Sequence, residues 1–97
     1  MPVMMNMQWD GVTSEMYDQV RKAVNWEVNV AEGGLFHIAA FGPNGMRVTD
    51  LWETADQFNR FVEQRLMPAI QQLGIPGQPR VEILPTHAVF TPAYRRL

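Results

Sequence analysis

The 97-residue chain has no cysteine, one serine, one lysine and no long apolar run. Without cysteine it forms no disulfide, thiolate metal site or cysteine nucleophile, and it suits a reducing cytoplasm. Ser14 stands at the start of a predicted helix with no histidine nearby, which argues against a serine nucleophile. Eight basic residues are interspersed with ten acidic ones, for a formal charge of -2. That balance offers neither a basic stripe for nucleic acid nor a polybasic membrane patch. No apolar stretch approaches the roughly 20 residues of a membrane span, and Met1 to Trp9 is too short and interrupted for a signal peptide. The expectation is a soluble, cytoplasmic protein. Gly33-Gly34 and Gly42-Pro43-Asn44-Gly45 have the chemistry of turns, not of a phosphate loop. A chain this short makes one domain with a thin core, so a second copy would add useful burial and a homodimer is expected.

Val3, Met5, Met7 and Trp9 alternate with Met4, Asn6 and Gln8, the pattern of a strand with one apolar and one mixed polar face. Asp10-Gly11 ends it. Thr13 is placed to cap a helix running to about Val24, with Met16, Val20 and Ala23/Val24 as its buried stripe. Residues 25–34 read as a loop. Thr54-Ala-Asp-Gln57 is a capping box opening a second helix, with Phe58, Phe61/Val62, Leu66, Ala69/Ile70 and Leu73 as a continuous stripe. Pro68 predicts a kink or restart near Leu66-Met67 and Gly74 a C-terminal cap. A last strand is predicted from Arg80 to Val89, at a sheet edge because Pro85 interrupts it. Residues 1–90 form the domain and 91–97 a C-terminal tail.

Between the helices lies a hairpin whose register is readable. Leu35 to Phe41 and Met46 to Trp52 flank the turn Gly42-Pro43-Asn44-Gly45. If Phe41 faces Met46, then Ala39 faces Val48, His37 faces Asp50 and Leu35 faces Trp52, all on one side of the sheet. Phe36, Ile38, Ala40, Thr49 and Leu51, with Arg47 at the rim, form the other side, which is predicted to receive the helices. Asn6 and Gln8 are expected to join His37 and Asp50 on the face away from them.

The order strand, helix, strand, strand, helix, strand, with right-handed crossovers, gives an α+β fold. It is a ferredoxin-like βαββαβ arrangement with a four-stranded antiparallel sheet. The segments Val48-Thr-Asp-Leu-Trp-Glu-Thr54, Phe58-Asn-Arg-Phe61, Arg65-Leu-Met-Pro-Ala69 and Val81-Glu-Ile-Leu-Pro-Thr-His87 carry a further resemblance. The chain resembles the dimeric α+β barrel superfamily and, more narrowly, the small proteins grouped with antibiotic biosynthesis monooxygenases. The resemblance implies two sheets packed face to face around a cavity. It also implies activities ranging from oxygenases to isomerases and cyclases. Asn6 and Trp52 match the residue types discussed for its cofactor-free monooxygenases. Haem-degrading members place a histidine on the second helix; none occurs between Thr54 and Leu73, so haem is not expected, nor is another cofactor.

His37 and Asp50 are the catalytic candidates, since a carboxylate opposite an imidazole fixes its tautomer and makes it a general base or proton shuttle. The alternative is a hydrogen bond that pins strand register. Asn6, Gln8 and Trp52 are candidates to orient a ligand, with Met46 and Val48, and Met4 beside them, as apolar lining. Alternatively, Trp52 packs in a dimer core and the amides bond across the interface. His87 would complete a two-histidine, one-carboxylate metal triad. The expected strand order 4-1-3-2 separates the outer strands by three steps of about 4.8 Å, so no metal site is expected. Trp26 and Tyr94 would cover the cavity mouth or dock on the outer surface. The expected function is binding of a small apolar, aromatic or polyketide-like molecule, with a cofactor-independent monooxygenase-like or isomerase/cyclase-like reaction. The alternative is a non-catalytic dimeric binding or accessory protein.

Overall fold

Alternation of bulky and polar side chains builds the first strand, and local capping signals bound the first helix. In a computed structural model, residues 1–93 are described; Tyr94 lies outside them. Strand β1 spans Val3–Asp10 and helix α1 Ser14–Val24. Thr13 Oγ1 accepts from the Met16 amide at 3.2 Å, and Asn25, at φ 61°, ends the helix in the left-handed region. After a loop, β2 (Gly34–Gly42) and β3 (Gly45–Trp52) form the hairpin.

The second helical region has three parts: α2 (Ala55–Phe61), a π-helical turn over Val62–Leu66, and α3 (Met67–Leu73). Thr54 caps α2, its hydroxyl accepting from the Gln57 amide at 3.1 Å. The expected break at Pro68 takes the form of that wide turn. Pro68 has no N–H and would crowd the carbonyl four residues back; the π turn instead sends the Met67 amide to the Val62 carbonyl. Gly74, at φ 67°, caps α3. Leu73, expected in the buried stripe, is half turned to solvent because the chain leaves the helix directly after it. Strand β4 is Arg80–Pro85, shorter than predicted. Pro85, opposite Val3 at the end of the strand, has no N–H to give the ladder, and Thr86 binds the Pro2 carbonyl with its amide at 3.1 Å and its hydroxyl at 2.6 Å.

The sheet order is β2-β3-β1-β4, antiparallel throughout. Both edges are therefore the predicted ones. Phe41 pairs with Met46, Ala39 with Val48 and His37 with Asp50, as the turn implied. At the far end Gly34 pairs with Trp52 and Phe36 with Leu51, so Leu35 is an extra residue at a bulge and does not oppose Trp52.

The side of the sheet that the helices cover is the reverse of the expectation. Met5 pairs with Asp50, Met7 with Val48 and Trp9 with Met46, so the bulky face of β1 is continuous with the His37–Asp50 face. That combined surface packs with Val20, Val24, Phe58, Ala69 and Ile70 as the core. Met4, Asn6, Gln8, Ile38, Thr49 and Leu51 lie on the open side. The physical reason is apolar bulk: Met5, Met7, Trp9, Met46, Val48 and Trp52 bury more surface than the opposite set, and one satisfied carboxylate among them is tolerated. No helix among the described residues is long and apolar enough to cross a membrane.

Candidate active site

Asp50, two residues before the end of β3, is 6% exposed and is the buried polar residue of the core among the described residues. A carboxylate in that position needs a partner for each oxygen. Oδ1 meets His37 Nδ1 at 2.7 Å from the adjacent strand, and Oδ2 accepts from the Trp52 indole N–H at 3.0 Å from two residues along the same strand. His37 stands at the boundary between core and mouth, its side chain 35% exposed. Its other nitrogen, Nε2, lies 2.7 Å from the Tyr17 hydroxyl of α1. In the neutral imidazole, Nδ1–H donates to Asp50 and Nε2 accepts from Tyr17. The result is a continuous hydrogen-bonded chain from Tyr17 through His37 and Asp50 to Trp52. Burial raises the Tyr17 phenol pKa above its ordinary 10; Arg21 opposes that shift, and the negative charges of Glu27, Asp50 and Asp18 add to it.

Aromatic rings hold the chain's outer end. Tyr17 has ring centroids of Trp26 at 5.7 Å and Phe41 at 5.8 Å, and Trp26 lies 5.4 Å from the His37 ring. At the inner end Trp52 packs on Phe58 and Phe61 at 5.6 and 5.4 Å. Between sheet and helices is a cavity of about 250 Å³, lined by these groups other than Phe41, with Met7, Val48, Leu66 and Ile70 among others. Polar atoms are sparse in it. The indole N–H of Trp9, also in the wall, is taken by the Pro76 carbonyl at 2.9 Å.

The loop carrying Trp26 is tied from two sides. Arg21 grips Glu27 with Nε at 2.5 Å and Nη2 at 2.8 Å, a two-point fork that holds the Glu27 carboxyl below its ordinary range and raises the Arg21 guanidinium. Arg65, from the π turn, donates to the carbonyls of Val24 and Asn29 at 3.0 and 2.7 Å and lies over the Phe61 ring.

His37, Asp50, Trp52, Met46 and Val48 are thus brought together around one cavity. Asn6 and Gln8 are not, because their register puts them on the open face opposite Thr49 and Arg47. There Thr49 donates to Asn6 at 3.0 Å, and both amide side chains border a shallow depression of about 370 Å³ with Arg47, Arg80 and Glu82. The cavity lies between the sheet and the helices of a single chain. His87 follows β4, on the edge opposite β2, and among the described residues no cluster of three or more potential metal ligands forms. Tyr17 escaped the sequence-based site. Its only signal was an aromatic at the first turn of α1, on the side of the buried stripe; of the two placements weighed for Trp26, at the cavity mouth or docked on the outer surface, the structure has it lining the cavity.

No family model matches the sequence, and no curated protein matches it significantly. Solved structures do match in fold. A protein of unknown function from Nitrosomonas europaea, NE2512, superposes with a TM-score of 0.71 at 17% identity, covering 96% of each chain. SnoaB, a cofactor-independent oxygenase from Streptomyces nogalater, gives 0.65 at 13% identity over 91% of this chain and 94% of its own. A conserved protein from Methanosarcina mazei Go1 gives 0.61 at 12% identity over 86% and 91%. The chain therefore has the ferredoxin-like α+β fold that these structures share, a fold that includes a cofactor-independent oxygenase.

Proposed function

We propose that the protein is a cofactor-independent enzyme that deprotonates a small, largely apolar aromatic or polyketide-like molecule in the cavity, with His37 as proton acceptor and Asp50 holding its tautomer. The observation that carries this is the buried Asp50, both of whose oxygens are engaged, fixing His37 at the margin of an apolar cavity. Trp52, Met46 and Val48 form the wall against which the ligand lies. The carbanion or enolate so formed can isomerise, cyclise or react with dioxygen. The fold shared with an oxygenase supports the last of these as one outcome. We further infer that residues 1–90 act as one domain and that a second copy covers the open sheet face, where Met4, Ile38, Leu51 and Leu84 are apolar. The cysteine-free composition favours the cytoplasm as its compartment.

A second reading, a non-catalytic binding or accessory protein whose cavity is largely filled by its own side chains, draws on the size of the cavity. About 250 Å³ falls a little below the roughly 300 Å³ at which ligand pockets begin. One experiment separates the two: exchange of the α-protons of 2-tetralone, a two-ring carbon acid, followed by NMR in D₂O. The enzyme should accelerate exchange, and His37→Ala and Asp50→Asn should each lower the rate by about 100-fold or more while leaving the fold intact. Tight binding of the probe without exchange would establish the non-catalytic function instead.

A further inference from the structure

A substrate cannot reach His37 Nε2 unhindered. That nitrogen has a single lone pair in the neutral ring, and the Tyr17 hydroxyl occupies it at 2.7 Å. The two ring planes run parallel to within 2°, with centroids 6.0 Å apart, so the phenol stays beside the imidazole along its whole length. Swinging the phenol aside would break its packing on both Trp26 and Phe41. Tyr17 nevertheless lines the same cavity as His37, and a hydroxyl oxygen that donates one hydrogen bond can still accept another. The Asp50 oxygens are both engaged, and so is the indole N–H of Trp9. The phenol is therefore the polar group at which the dyad meets a ligand.

We propose that Tyr17 is itself a catalytic residue, relaying the proton between substrate and His37. The proposal rests on the proton-transfer function assigned above. As the substrate C–H or O–H bond breaks, its proton forms a new bond to Tyr17 Oη. The original Oη–H bond breaks and that proton forms the Nε2–H bond of an imidazolium facing Asp50. The electron pair stays on the substrate, and no oxidant or reductant is consumed. No free phenolate is required. Burial keeps the phenol protonated at neutral pH, so the relay begins loaded. The geometry also narrows the substrate class to a flat apolar molecule whose acidic hydrogen is at one edge, a ketone α to a ring or a phenol.

The test is 2-tetralone exchange in three proteins, with probe affinity measured in each by NMR titration. Tyr17→Phe keeps the ring and its packing; it should slow exchange by about 10-fold or more with affinity unchanged. A protein carrying 3-fluorotyrosine at position 17, which keeps the hydroxyl, should retain most of the rate. If Tyr17→Phe exchanges at the normal rate or faster while His37→Ala is slow, the phenol merely covers Nε2 and the relay is overturned alone. An equal loss in the fluorotyrosine protein would assign the effect to packing and also overturn it. Exchange at the normal rate in His37→Ala, or none in the unmodified protein, would overturn the function assigned to His37 and the relay with it.

Discussion

Asp50 places a carboxyl where an unpaired polar group is costly, and its neighbours answer that cost one oxygen at a time. His37 takes one from across the hairpin and Trp52 the other from its own strand. Removing the second donor should be felt even though Trp→Phe preserves most of the packing on Phe58 and Phe61. Trp52→Phe is expected to cost about 1–3 kcal/mol, the penalty of a buried acceptor left unsatisfied, read from the urea unfolding midpoint. A midpoint unchanged from the parent would mean that water reaches Oδ2. The pairing of His37 with Asp50 was legible because a short turn sets the register of both strands. The Trp52 contact was legible in outline, since residues two apart on a strand share a face. The Tyr17 contact was not, because it depends on where α1 comes to rest over the sheet.

Among the elements, the π turn and the loop of residues 25–33 show how local chemistry shapes the site. The proline that interrupts the second helix widens it where Arg65 emerges, and Arg65 holds the Val24 and Asn29 carbonyls on either side of the loop bearing Trp26. The second tie, Arg21 to Glu27, is titratable. Its fork lowers the Glu27 pKa below 4.5 in the folded protein. A depressed folded pKa means that the fork stabilises the folded loop above about pH 4.5, and that this is lost as pH falls through the folded value. Both partners are exposed, so the effect on global stability should be small. Amide protection in residues 25–33, taken relative to the intrinsic exchange rate at each pH, is expected to fall as the solution is acidified below pH 4.5, and Glu27→Gln should show the lower protection already at pH 7. Equal protection in the variant would place the loop's order elsewhere. Proline, capping residues and a loop rich in Asn and Gly announced these elements in the sequence; the ties between them join residues up to 41 positions apart and were not announced.

Among the described residues no helix covers one face of the sheet, and it is the face the sequence had seemed to reserve for the helices. Ile38, 51% exposed, and Leu84, 42% exposed, lie on it with Met4 and Leu51 and with the hydrogen-bonded Asn6–Thr49 pair. Face-to-face pairing of two such sheets would bury this surface while leaving a separate cavity in each protomer. If two copies pair in this way, Ile38→Lys should yield monomers in sedimentation velocity while the far-ultraviolet circular dichroism is kept. A parent protein that sediments as a monomer would exclude that pairing.

From sequence alone came the order of elements, the caps at Thr13, Thr54 and Gly74, the edge position of β4, and the partnership of His37 with Asp50. Each depends on neighbours along the chain or across a tight turn. The tertiary structure decided which face of the sheet is inside, that the cavity lies between sheet and helices, that Asn6 and Gln8 stand apart from it, and that Tyr17 completes the chain. Alternation along a strand separates two faces without saying which is covered. That choice is made by apolar area added over several strands, and by whether a lone buried carboxylate finds a donor for each of its oxygens.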